Sequence, residues 1–197
     1  MKECNNKIEQ FISIKRFENY SNLDEYKKNI VHSKKMYIPL SLVEISLKNS
    51  ISFFYTKRIG DKWLFDDKFL PLDLQKKVKI ASEILRHKNK LITRDTIISE
   101  LSFGFWVMLL KKYFSHHLRY ADLKIIFPNL TSSKTKRINR HFIFTKLNNI
   151  RHFRNKVFHH DKIINKKEYE NMINEIYEIL SYFDDRIVDI AKELNND

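Results

Sequence analysis

Apolar side chains recur every three or four residues along most of this chain, which is the spacing of one face of an α-helix. The longest such run predicts a helix over residues 36–59, and its apolar face consists of Leu40, Val43, Leu47, Ile51 and Phe54. Pro39 is expected in the first turn of that helix, where its missing N–H breaks no hydrogen bond, and Gly60 marks a suitable end.

Two amphipathic helices are predicted next. The first is marked by Leu74, Val78, Ala81 and Leu85. Thr93 is expected to cap the second, whose apolar face is formed by Ile97, Leu101, Phe105 and Met108. Gly104 inside that helix costs about 1 kcal/mol relative to alanine, which suggests close packing of another helix against it. We expect the neighbouring aromatic residues Phe103, Phe105 and Trp106 to belong to the core.

The remaining periodic segments are also helical in pattern. A short helix is predicted over residues 122–127, and Pro128 ends it. The next helix can be capped by Thr131, Ser132 or Ser133. Its buried line is predicted to consist of Leu147, Ile150, Phe153 and Val157. The last predicted helix spans residues 167–194, with one side formed by Tyr169, Met172, Ile173, Ile176, Leu180, Phe183, Ile187 and Ile190. The chain is therefore expected to form one all-α helical bundle over residues 1–197.

Composition agrees with this class and adds a charge. The 197 residues include only 2 glycines and 3 prolines, so few positions break a helix. A net charge of +13 favours a polyanionic partner, although a bias toward lysine in the coding sequence also contributes. Cys4 has no second cysteine to pair with, and no apolar stretch has the length of a membrane span. We expect a cytoplasmic protein without membrane association.

Residues 154–159 (RNKVFH) carry the candidate chemistry. Arg154 can pair with a phosphate through two parallel hydrogen bonds, and the imidazole of His159 can exchange a proton near neutral pH. The two lie about 140° apart around a helix, within reach of one phosphate if the arginine bends across. Asn155 shares a face with Arg151 and His159 and is expected to orient the reacting groups. A helix cap with a surface ion pair is the non-catalytic interpretation of the same residues.

The chain resembles a known family along almost its whole length. The segment 154–159 is similar to the R-x4-6-H signature of the HEPN superfamily, and the order of segments resembles Abi-like (abortive infection) proteins. These segments are 13–20 (SIKRFENY), 43–51 (VEISLKNSI), 98–106 (ISELSFGFW) and 127–129 (FPN). Lys48 and Asp161 depart mildly from the family pattern. The resemblance implies a HEPN-type bundle with additional helices and a site completed by a second copy of the chain.

The resemblance also implies roles for particular residues. Arg154, His159 and Asn155 would be catalytic in metal-independent RNA cleavage. Glu44 or Asn49 would line the same cleft, although an ion pair of Glu44 with Lys48 is the simpler interpretation. Arg151 and His160 are supporting candidates, and His160 is as readily explained as a solvated surface residue.

The expected partner is RNA. A basic run that leads into the signature is the candidate RNA-binding surface, with Lys134, Lys136, Arg137, Arg140 and Lys146 as its members. No metal or other cofactor is expected, since His32, His116 and His117 lack partners at ligand spacing.

The expected function is an endoribonuclease toxin of an anti-phage abortive-infection system, active as a homodimer and controlled by a non-coding RNA. The alternative is an RNA-binding HEPN protein that holds a structured RNA without cutting it. A protein antitoxin of the nucleotidyltransferase type is disfavoured by Asp161, which stands where toxins of that kind carry tyrosine.

Overall fold

The computed structural model describes residues 11–131 and 138–195, and every regular element in these ranges is helical. The predicted all-α class is therefore confirmed. The α-helices are α1 (Ile14–Phe17), α2 (Leu23–Ile59), α3 (Leu72–His87), α4 (Arg94–Glu100), α5 (Phe103–Met108), α6 (Tyr120–Ile126), α7 (Arg140–Phe158), α8 (Met172–Phe183) and α9 (Asp185–Glu193). Short 3₁₀ segments occupy Trp63–Phe65, Lys112–His117 and Lys167–Tyr169. Among the described helices, none combines the length and apolarity needed to cross a membrane.

Helix α2 is the axis of the bundle, and α5 to α9 all pack against it. Its buried face includes the predicted residues Leu40, Val43, Leu47, Ile51 and Phe54. The helix nevertheless begins at Leu23, well before the predicted start at residue 36. The side chain of Asn22 caps it by accepting a hydrogen bond of 2.9 Å from the backbone N–H of Glu25.

Pro39 lies inside helix α2, and its predicted place in the first turn is wrong. A proline in a helix interior leaves the carbonyl four residues earlier without its usual donor. That carbonyl belongs to Lys35, and the side-chain amide of Asn195 donates to it at 2.9 Å. The far end of the described chain thus supplies the hydrogen bond that the proline removes, which allows the helix to continue.

The structure divides two of the predicted helices. The helix expected from Thr93 onward ends at Glu100, because Leu101 and Ser102 adopt extended backbone angles before α5 begins. The last predicted helix is interrupted at Asp184, which is also extended and whose carboxylate accepts from the N–H of Arg186 to cap α9. Apolar spacing continues through both breaks, so the periodic pattern did not reveal them.

Two smaller expectations also need correction. Helix α7 is capped by Asn139, whose side chain accepts from the N–H of Phe142 at 2.9 Å. Thr131 therefore does not cap it, and Ser132 and Ser133 lie outside the described residues. On α9, Ile190 is 45% exposed and does not belong to the buried side on which it was predicted.

Five buried rings close the C-terminal end of α2, which we call the aromatic end: Tyr55, Trp63, Phe69, Trp106 and Phe114. The ring centroids of Tyr55 and Phe69 are 4.9 Å apart, and those of Trp63 and Trp106 are 6.2 Å apart. The predicted assignment of the cluster around Trp106 to the core is confirmed, since Phe103 and Phe105 are buried with it.

A candidate site at the end of helix α7

The apolar line of α7 orients the candidate site. Leu147, Ile150, Phe153 and Val157 are all buried, as predicted, together with Ile143. Residues between these positions must point away from the core, because a helix advances about 100° per residue. Arg154 and Asn155 are accordingly half-buried at the edge of the bundle, and His159 is exposed.

Arg154 is held on two sides. One guanidinium nitrogen, Nη2, lies 3.3 Å from Oε2 of Glu44 on α2. The guanidinium carbon lies 4.2 Å from the centre of the Phe158 ring, a favourable cation–π distance. The Phe158 ring in turn stacks on Tyr37, with centroids 5.2 Å apart and planes 24° from parallel. The arginine is therefore fixed in place by the ion pair and by a stack of two rings.

His159 occupies the turn that ends α7. It is the C-cap residue, and its backbone N–H donates to the carbonyl of Asn155 at 2.9 Å. His160 follows in the left-handed region with φ 57°, and Asp161 N–H reaches back to the carbonyl of Lys156 at 2.9 Å. These contacts form a Schellman motif, in which glycine is the usual residue at the position of His160. The motif leaves both imidazoles exposed at the end of the helix.

Asn29 fixes the segment that follows, residues 159–165, which we call the signature loop. Asn29 lies on α2 and is fully buried. Its side-chain oxygen accepts from the N–H groups of Ile163 at 2.8 Å and Ile164 at 3.3 Å. Its amide donates to the carbonyl of Asp161 at 3.1 Å. One side chain therefore satisfies backbone groups that burial would otherwise leave unpaired.

A second set of contacts joins the signature loop to the N-terminal part of the described chain. Lys162 Nζ lies 2.6 Å from Oε1 of Glu25, and the N–H of Ser21 donates to the other carboxylate oxygen. These hydrogen bonds, that of Lys162 foremost, lower the pKa of the Glu25 carboxyl to about 2. Arg16 donates to the carbonyl of His159 at 3.3 Å. The backbone of the candidate histidine is thus held by a segment far from it in sequence.

The other predicted members of the site have different surroundings. Asn155 makes no side-chain hydrogen bond within the described residues, so its expected orienting role has no observed contact. Asn49 is exposed on α2. Arg151 donates to Asn148 at 3.0 Å and contacts Nε2 of His152, whose pKa is lowered by burial and then by the arginine charge.

The close packing expected at Gly104 is looser than predicted. A Cβ added there would lie 3.5 Å from Cδ of Arg151, which is an ordinary contact. Helix α5 does pack on α7, yet an alanine would fit between them.

The basic run is only partly described. Lys134, Lys136 and Arg137 lie outside the described residues. Arg140 donates to the carbonyl of Leu110 at 2.5 Å. Lys146 is 16% exposed and pairs with Glu178 at 2.8 Å and Glu175 at 3.8 Å. The two described members therefore make internal contacts, and phosphate binding by either would have to compete with them.

No cluster of three histidine, cysteine or carboxylate side chains suited to a metal ion occurs in the described residues. Comparison of the chain with known protein families, curated proteins and solved structures finds no match. The resemblance to HEPN proteins therefore rests on the sequence segments quoted above.

Sequence reasoning missed three residues that build this end of the molecule: Tyr37, Asn29 and Arg16. A signal for Asn29 was present, because Asn29 and Ser33 precede Met36 and Leu40 at helical spacing. These two polar residues continue the apolar face of α2, and both are buried. Arg16 and Tyr37 gave no such signal, since their partners His159 and Phe158 are more than a hundred residues away in sequence.

Proposed function

We propose that this protein is a HEPN-type endoribonuclease of an abortive-infection system, acting in the cytoplasm on RNA and controlled by a non-coding RNA. The observation that carries the proposal is the arrangement at the end of α7. Arg154 is immobilised by Glu44 and Phe158, and an exposed His159 follows on a turn anchored from two directions. A fixed cation on the last turns of a helix and an accessible imidazole at its end are suited to binding a phosphodiester and moving a proton.

The proposed reaction is an attack within the RNA itself. His159 removes the proton of a 2′-hydroxyl, the 2′-oxygen bonds to the adjacent phosphorus, and the 5′-oxygen of the next nucleotide departs. A second acid protonates that leaving oxygen, giving a 2′,3′-cyclic phosphate and a 5′-hydroxyl. Arg154 stabilises the negative charge on the phosphorane, a contribution of about 3 kcal/mol for one well-placed donor.

The proposed reaction needs both a base and an acid, and each chain supplies only one signature histidine. The proposal therefore includes a second copy of the chain. A two-fold dimer that brings two α7 ends together supplies two copies of His159, one as base and one as acid. Light scattering with and without RNA tests this step directly. A stable monomer at micromolar concentration in both conditions contradicts the composite site.

The deciding experiment measures cleavage of end-labelled RNA in the presence of EDTA. We expect fragments ending in a 2′,3′-cyclic phosphate, because no step uses a metal. The His159→Ala variant should lower the rate by about 10²–10⁴, the usual loss for a general acid or base. His160→Ala is the matched control and should lower it far less. Persistence of full cleavage in His159→Ala refutes the proposed mechanism.

The second candidate is an RNA-binding protein that does not cut. The contact between Arg154 and Glu44 favours it, because a phosphate must displace or share the carboxylate to reach the guanidinium. Intact RNA bound tightly by the wild type, with no products in any condition, decides for this alternative.

A further inference from the structure

A groove of about 660 Å³ opens beside His160, within the range of about 300–1,000 Å³ typical of small-molecule sites. The first half of α2 forms one wall, and the end of α7 with residues 194 and 195 forms the other. The surface is largely apolar, and Val31, Tyr37 and Leu194 are each more than half exposed. We call this the tyrosine groove.

The rim of the tyrosine groove is basic. Lys34, Lys35 and His160 are exposed there, and no acidic side chain occurs among the described residues that line it. Ser33 also lines the groove, and its buried hydroxyl has no hydrogen-bond partner in the described part of the chain. A ligand that is flat and apolar in its middle, polar at its edge and negatively charged at its ends matches these features.

Tyr37 provides the surface on which such a ligand would stack. Its ring packs on Phe158, which lies against the guanidinium of Arg154, and it remains 56% exposed. The stack thus runs from the candidate phosphate-binding arginine outward to an exposed ring. An unpaired nucleobase extends a stack of this kind, whereas a base within a duplex has both faces covered by its neighbours.

We propose that the tyrosine groove binds one unpaired base of a single-stranded RNA, stacked on Tyr37, with the adjoining phosphates at Lys34 and Lys35. The inference rests on the proposed function, because it places this base next to the nucleotide whose 2′-hydroxyl His159 would deprotonate. It adds a reason for selecting single-stranded RNA over duplex RNA at the same site.

The test is a binding measurement on the full chain carrying His159→Ala, so that the probe stays intact. A labelled single-stranded RNA is compared by fluorescence anisotropy with an abasic strand of the same length, which keeps the phosphates and lacks the bases. Adding Tyr37→Ala should weaken RNA binding about 5- to 150-fold, which corresponds to ~1–3 kcal/mol for one stacked base. Binding of the abasic strand should not change.

Two variants control the measurement. Tyr37→Phe keeps the ring and should bind RNA as the parent does. Tyr113→Ala removes an equally exposed tyrosine, also at 56%, from the 3₁₀ segment Lys112–His117 and should have no effect.

The results that overturn the proposal are distinct. An equal loss for RNA and abasic strand means that Tyr37 acts on phosphates or on folding. Unchanged RNA binding in Tyr37→Ala means that the tyrosine groove does not contact the RNA. If the molar mass of the protein changes in Tyr37→Ala as well, the groove is a contact between two copies of the chain. Cleavage by the wild type with no Tyr37 effect refutes this inference alone. Stacking on Tyr37 without cleavage refutes only the proposed function.

Discussion

The two halves of helix α2 are stabilised in different ways. At the aromatic end, rings pack on rings, and several of their polar atoms, including Nε1 of Trp63 and of Trp106, have no hydrogen-bond partner within the described residues. At the other end, Asn29 satisfies backbone groups of the signature loop, and apolar side chains such as Tyr37 remain exposed. The packing of rings at the aromatic end contributes to the stability of the fold. The contacts at the other end order a loop and leave a surface open, which is the arrangement expected where a protein binds something.

The largest effect on stability is expected at the aromatic end. Phe114 is 1% exposed among the rings of Phe69 and Tyr55. Phe114→Ala should lower the free energy of unfolding by about 3–5 kcal/mol, through lost burial and the cavity left behind. Urea denaturation followed by circular dichroism measures it. The control is Tyr113→Ala at the exposed neighbouring position, which should change the free energy of unfolding by no more than about 0.5 kcal/mol. If Phe114→Ala costs as little as this control, the aromatic end is not tightly packed.

A smaller loss of stability is expected when Asn29, which holds the signature loop, is replaced. Asn29→Ala leaves the buried N–H of Ile163 without an acceptor and should cost about 1–3 kcal/mol. Asn165→Gly is the control, because it removes an exposed amide that donates to Glu25 while glycine tolerates the φ of 57° at this position, so it should matter little. If RNA cleavage is unchanged in Asn29→Ala after correction for the folded fraction, Asn29 supports folding and has no part in positioning His159.

Acid should loosen the contacts of the same loop. The pKa of Glu25 is lowered from 4.5 to about 2, so its charged form favours the folded state. That contribution is complete above pH 4.5 and is lost as the pH falls toward 2. Glu25→Gln should therefore unfold more readily than wild type above pH 4.5, and the difference should disappear as the pH falls through about 2. Asp184, with a pKa also near 2, is common to both proteins and cancels in the comparison of melting temperatures.

The smallest expected effect is a gain. His160 has φ 57° at the end of α7, and Asn89 has φ 52° at the equivalent position after α3. His160→Gly should raise the free energy of unfolding by about 1 kcal/mol by relieving the left-handed backbone strain. Asn89→Gly should gain less, because asparagine tolerates this conformation. A loss of stability in His160→Gly would show that the imidazole makes a contact worth more than the strain.

The sequence was sufficient to predict the fold class and most buried faces, because Leu74, Val78, Leu147 and Ile150 repeat at helical spacing. It was insufficient where a helix survives an unfavourable residue or ends without a change in pattern. The continuation through Pro39 depends on Asn195, and the break at Asp184 depends on a side-chain cap. Both depend on side-chain hydrogen bonds that apolar spacing does not encode.

The candidate site was predictable in part for the same reason. Arg154 and His159 stand out by their chemistry. For Glu44 the sequence left two interpretations open, a place in the candidate cleft or an ion pair with Lys48. In the structure Glu44 contacts Arg154 and not Lys48. The roles of Tyr37 and Asn29 depend on helices that meet only after folding. A local pattern around either residue contains no sign of its partner.

The hydrogen bond between Asn195 and Lys35 also has a consequence for the order of folding. It joins positions 160 residues apart, and the bonds of Asn29 and Arg16 to the signature loop span 132 to 143 residues. Tyr55, Trp63 and Phe69 meet within a short stretch of chain. Long-range closure is slow, and synthesis proceeds from the N-terminus. A chain emerging from the ribosome should therefore assemble part of the aromatic end well before the loop that carries His159 is fixed in place.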